Sequence, residues 1–209
     1  FYIQIFLWAH VPLVTWLGYY WGQNSVAVPV FVIGLCLVTG LAYRRDPTSL
    51  QTAMLSSTAL ALIICVLLFM MRGHPWQADM HMYLFAGLAI CTLFYHWQAI
   101  VAFTGVVAVH HLSLNYLLTA AVFPGSSDLD RVILHATILI IEASALIFFS
   151  IMLRRIQTLV KATFENLVQE RAMAQTLTTQ AEERRVHLGQ IVDNLSRQIN
   201  RLAGGDLTS

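Results

Sequence analysis

Charge is what this sequence has least of. Asp, Glu, Lys and Arg make up 11% of its 209 residues, against 57% hydrophobic ones; an ordinary soluble domain carries about 25% charge. That scarcity excludes a soluble globular enzyme, a disordered segment and a nucleic-acid binder, the last because no basic face can be built. Cysteine is scarce too. Cys36, Cys65 and Cys91 stand alone inside apolar runs, odd in number and with no C-x-x-C pair, so no disulfide framework is expected. Neither G-x-G-x-x-G nor a Walker pattern occurs, and no nucleophile–base motif is visible, so an enzyme is not expected. The first apolar run lacks a basic leader and a small-residue cleavage site, which argues against a cleaved signal peptide. The chain starts without Met and stops at Ser209, and both ends are expected to be cuts within something longer.

What is present is apolar length. About 20 apolar residues cross a bilayer as a helix, and six stretches qualify, roughly 1–21, 25–43, 49–71, 77–95, 98–122 and 129–153. Between them lie short breakers rich in Gly, Pro, Asn and Ser. The expected fold is all-α: a six-span transmembrane helical bundle over 1–153, followed by a long cytoplasmic helix over 154–209. Charge placement agrees. Residues 1–153 hold four basic and five acidic side chains, whereas the last 56 hold eight and six. Arg44 and Arg45 between spans 2 and 3, and Arg154, Arg155 and Lys161 after span 6, fall on one side if the spans alternate. The positive-inside rule then puts both termini in the cytoplasm.

After residue 153 the rhythm changes. Val160, Leu167, Ala174, Ala181, Leu188, Leu195 and Leu202 recur every seven residues, the seam of a helix that pairs with a copy of itself. The companion positions are mixed (Thr163, Glu170, Leu177, Arg184, Ile191 and Gln198), which leaves room for a phase change along a homodimeric coiled coil.

Polar residues inside the spans are functional suspects by default. Span 1 has His10; span 4 has Asp79, Met80, His81 and Met82; span 5 has His110, His111 and Asn115; span 6 has His135 and Glu142. Counted at 1.5 Å per residue, His81 lies ~6 Å below the outer surface, His135 ~9 Å, His10 and His111 ~16 Å and Glu142 ~20 Å. Imidazoles from four helices thus reach one zone. Neutral imidazole binds Cu, Fe and Zn, so His10, His81, His111, His135, Asp79 and Glu142 are candidate metal ligands. His110, Asn115, Met80 and Met82 are further ligands or supports for the rings. Haem b is the alternative cofactor, held axially by two imidazoles from different spans; the 14-residue separation of His96 and His110 resembles that in stacked-haem cytochromes b. With either group a membrane oxidoreductase subunit also stays open, as does the plain reading in which these polar groups pair and glue helices together.

The ending at residues 199–209, Ile-Asn-Arg-Leu-Ala-Gly-Gly-Asp-Leu-Thr-Ser, resembles the close of a HAMP signalling helix. The stretches at 75–83, 110–116, 122–125 and 131–143 are similar to the multi-span sensor portions of bacterial methyl-accepting chemotaxis receptors and of diguanylate cyclase receptors. A more distant similarity is to MHYT-type membrane sensors, whose Met and His residues are thought to hold a metal; here the stretch reads Met80-His81-Met82-Tyr83. These resemblances imply a receptor in the bacterial inner membrane, surrounded by lipid. It detects a ligand, gas or redox change and relays it through the last span to a cytoplasmic signalling module and its kinase machinery.

Overall fold

The computed structural model describes residues 1–21, 26–122 and 129–203. The expected connections at 22–25 and 123–128, and the Gly-rich ending at 204–209, lie outside the described residues. Every regular element among those described is helical: α1 Tyr2–Tyr20, α2 Ala27–Arg45, α3 Leu50–Met70, α4 Gln77–Ile90, α5 Trp97–Leu117 and α6 Leu129–Ala203. Short 3-10 turns at Cys91–Phe94 and Thr119–Ala121 follow α4 and α5. The chain divides into two compact units, Phe1–Arg155 and Ile156–Ser209.

Within the first unit α3 is the central helix. Thirteen of its 21 residues are buried, and α1, α2, α4 and α5 all pack on it. Its composition explains the position. Ala53, Ser56, Ser57, Ala59 and Ala61 are small enough for neighbouring backbones to come close, which drives helix association where hydrocarbon offers no hydrophobic gain. Gly87 does the same from α4: a Cβ there would sit 2.5 Å from Ile64 Cδ1 and 3.0 Å from the Phe103 ring. The start of α3 is set by the sequence Asp46-Pro-Thr-Ser49. Ser49 Oγ accepts the Thr52 N–H at 3.1 Å, capping the helix. Asp46 Oδ1 accepts both the N–H and the hydroxyl of Thr48 at 2.8 Å.

The helices alternate in direction. At one end Trp21, just past α1, lies 5.4 Å from the His74 ring between α3 and α4. At the other, His96 before α5 meets the Thr48 carbonyl at 3.1 Å and Arg154 of α6 at 3.3 Å. The α2–α3 and α4–α5 junctions and residue 154 therefore share one end of this unit. α6 is held differently from the rest. Among the described residues it forms no packed pair with another helix at Cα separations of 8 Å or less. Its buried residues are Val132, Leu139, Ala143 and Ser150 alone.

The six-span expectation is met in part on length and hydropathy. Four of the described helices, α2, α3, α5 and α6, are long and apolar enough to cross a membrane. α4 has 14 residues before it tightens into the 3-10 turn and then reverses at Tyr95, whose φ is 57°. α1 has the length, 19 residues, but Gln4, His10, Pro12 and five Trp or Tyr rings dilute its hydropathy. The three cysteines are buried and reduced.

In the second unit the described residues, 156–203, form one helix with every side chain exposed. Its apolar seam is uncovered in the single chain: Val160, Leu167, Leu188, Leu195 and Leu202 are each more than half exposed. The ion pairs Lys161–Glu165 at 4.0 Å and Arg185–Glu182 at 3.7 Å lie on the surface and contribute little.

Candidate functional site

Three of the four histidines singled out as ligands come together. The ring centroids of His81 (α4) and His111 (α5) are 5.8 Å apart, those of His81 and His135 (α6) 6.2 Å, and those of His111 and His135 6.0 Å. They form a nearly equilateral triangle with one corner on each helix. His81 and His111 are buried. Asn115, one turn beyond His111, is fully buried.

The local backbone settles which ring nitrogen carries the proton. His81 Nδ1 lies 2.8 Å from the Gln77 carbonyl, His111 Nδ1 2.9 Å from Val107 and His135 Nδ1 2.8 Å from Arg131. A carbonyl only accepts, so each Nδ1 must be the donor. In the neutral ring Nε2 is then the lone-pair nitrogen, the atom that binds metals or accepts protons. All three contacts run from residue i to the carbonyl of i−4, so the helix itself fixes each tautomer. Ligating histidines are held in this way, with the second nitrogen tied to a carbonyl or carboxylate.

Beside the triangle lies a cavity of about 320 Å³ between α4, α5 and α6. The three rings line it, with Leu84, Val107 and Leu139 among its apolar walls. Thr104 also lines it, as its seven-residue spacing from His111 implies.

The remaining proposed ligands are elsewhere. His10 is buried, but its Nδ1 donates to the Phe6 carbonyl at 2.8 Å and its Nε2 accepts from the Tyr83 hydroxyl at 2.6 Å. It is thereby engaged on both sides. Asp79 is exposed and lines a separate open cavity with Met80, Tyr83, Trp76 and Met71. Met82 is 64% exposed and turns away from both. Glu142 is half-buried, with Oε2 lacking a hydrogen-bond partner among the described residues, and does not line the three-ring cavity. His110 touches the His111 ring at 5.3 Å but opens onto a different cavity beside Cys65. Both of its ring nitrogens are buried without a hydrogen-bond partner among the described residues. His96 sits at the start of α5 with both nitrogens engaged by Thr48 and Arg154.

As the side chains stand, no group of three or more His, Cys, Asp or Glu among the described residues is drawn close enough to hold a metal ion. The triangle is slightly open. Three imidazoles bound through Nε2 at ~2.1 Å to one ion have centroids ~5.4 Å apart, so these rings stand about half an ångström too wide. Two residues that matter to the geometry, Tyr83 and Gly87, carry no signal in the sequence. Tyr83 is found only once the relative rotation of α1 and α4 is known. No family model matches this chain, and no curated protein or solved structure matches it either.

Proposed function

We propose that this chain is the input and relay portion of a bacterial signal-transduction receptor of the chemotaxis kind, in the inner membrane. His81, His111 and His135 hold one transition-metal ion (Cu, Fe or Zn), and occupancy or redox state at that ion is relayed through α6. The observation that carries the reading is the triangle itself: three helices each contribute one ring, each with Nδ1 tied to its own backbone. Closing it by about half an ångström draws α6 towards α4 and α5. Because α6 meets the bundle through side chains, at the cavity and at Ala143, Leu146 and Ile147, rather than by close backbone packing, a small free energy moves it; a bias of a few kcal/mol between two states is enough. His135 sits on the same helix as the heptad seam, whose exposed leucines suit pairing with a second copy. The paired helices then pass the movement to a cytoplasmic output module.

The ends of the bundle support a membrane arrangement. Arg44, Arg45 and Arg154 lie near the end marked by the His96 contacts, so that end is cytoplasmic by the positive-inside rule. Six crossings with both termini inside fit the alternating helices. α1 and α4 then cross on the strength of packing rather than hydropathy. α4 gains from its 3-10 extension: 14 residues at 1.5 Å and four at 2.0 Å reach ~29 Å, about the thickness of the hydrocarbon layer.

The three-ring geometry favours a bare ion over haem b. Two rings about 6 Å apart suit the two faces of a haem, but the third ring stands in the plane that the macrocycle would fill. Metal analysis and an absorption spectrum of the purified full chain test the reading. Stoichiometric metal without a Soret band is expected, and it should be lost in His111→Ala and His135→Ala while remaining in His10→Ala. A Soret band, or full retention of metal in both ring variants, overturns it.

A further inference from the structure

The cavity beside the rings bears on which ion binds and what reaches it; this step rests on the metal reading above. Apart from the three imidazoles and the Thr104 hydroxyl, the described side chains that line it are all apolar. Among the described residues neither a carboxylate nor a thiol lines it, and Asp79 lines the separate cavity by Trp76.

Charge comes first. Neutral imidazoles do not offset an ion's charge, and the cost of holding an ion in an apolar medium rises with the square of that charge. A divalent ion therefore meets about four times the desolvation penalty of a monovalent one. Copper is the metal with a stable monovalent state among those that imidazole binds well. Space comes second. A single water needs ~30 Å³, so 320 Å³ is far more than an ion bound by three rings requires. Three ligands leave a fourth position open, the arrangement of sites that bind or activate a further ligand. Apolar walls disfavour water and anions there and admit a small neutral molecule that already dissolves in hydrocarbon.

We propose that His81, His111 and His135 hold one monovalent copper ion and that the apolar cavity delivers a neutral diatomic gas to its open coordination position. The stimulus class is then a gas partitioning into the bilayer. Its binding pulls or releases the ring triangle, and with it α6.

Carbon monoxide is the probe, because it binds monovalent copper without redox chemistry and its stretching vibration reports the bond. The purified full chain is loaded with Cu(I) under reductant and argon, exposed to carbon monoxide and examined by infrared spectroscopy. One copper per chain and one C–O band are expected. His111→Ala, and the closer-sized His111→Gln, should weaken copper binding by at least about tenfold and remove the band. Replacing Cys36, Cys65 and Cys91 by Ala should leave the band in place, since none lines the cavity. Ala136→Phe and Ala108→Phe, which fill the cavity from α6 and α5, should keep the copper and lose most of the band. Copper bound without any band, or a band indifferent to both filling variants, overturns the gas inference and leaves the metal reading standing. Tighter retention of Zn(II) or Ni(II) than of Cu(I) overturns the monovalent assignment alone. If the unsubstituted chain retains no metal of any kind, both readings fall.

Discussion

His10 and His81 lie on neighbouring helices and use the same backbone device, yet they end in different chemistry. Each donates from Nδ1 to the carbonyl four residues earlier. The difference is in the surroundings. For His10, Nε2 meets the Tyr83 hydroxyl at 2.6 Å; the His81 ring stands about 6 Å, centroid to centroid, from the rings of His111 and His135. Tyr83→Phe should therefore strand a buried acceptor at His10 and lower stability by about 1–3 kcal/mol, read as a fall in the thermal midpoint of the detergent-solubilised protein. Metal content should not change, because His10 stands outside the triangle. Loss of metal in that variant would mean that His10 belongs to the site. Gly87 gives a second residue-scale expectation. Gly87→Val drives a branched side chain into Ile64 and Phe103 and should cost about 1–3 kcal/mol by overpacking. A wild-type midpoint for that variant would show that α4 does not pack as closely as described. At this scale, the sequence reveals which residues share a helix face, since that depends on 3.6 residues per turn. It does not reveal how two helices are rotated against each other. That is why the grouping of His10 with the cluster failed to materialise while His81, His111 and His135 did meet.

Elements carry their own tests. The first turn of α3 rests on a cap and a turn that do not involve the membrane. Ser49→Ala removes the acceptor for the Thr52 N–H and should cost about 1 kcal/mol, seen as faster hydrogen exchange in the first turn of α3. Asp46 precedes it. The backbone N–H and hydroxyl of Thr48 hold its carboxyl below the usual carboxylate range. A carboxyl lowered on folding contributes its stability above its ordinary value and loses it as pH falls through the lowered one. Protection of the α3 start, corrected for intrinsic exchange, should thus decline in acid in the wild type and be insensitive there in Asp46→Asn. Equal acid sensitivity in both proteins would remove Asp46 from the account. α4 was the least legible element. Its run of apolar residues reads as one span, but the helix tightens at Cys91 and reverses at Tyr95. A 3-10 turn and an isolated left-handed residue leave no mark in hydropathy. α6 was more legible, because the change from continuous apolar residues to a seven-residue repeat is a change of period. The looseness of its packing was not, because contact between helices depends on the shape of both partners.

For the whole molecule, alternating helix direction and the clustering of Arg44, Arg45 and Arg154 at one end join two independent lines, one from contacts and one from charge. The apolar fraction and the uneven charges already pointed to a membrane part followed by a water-exposed helix. They could not say which helices are long and apolar enough to cross a membrane by their own hydropathy. Hydropathy measures transfer of a helix alone, whereas His10 on α1 and His81 on α4 are sheltered by the helices around them. The account as a whole holds that an ion gripped by three helices moves the sixth. The most direct measurement is the distance between spin labels at Ala86 on α4 and Ile141 on α6, both exposed positions, in a chain whose native cysteines are replaced by Ala. It is recorded in the metal-free and Cu(I)-loaded states. The account predicts a distance distribution shifted on Cu(I) loading, as the triangle closes and α6 moves against α4, with the shift abolished by His135→Ala. Identical distance distributions with and without a bound ion would contradict it.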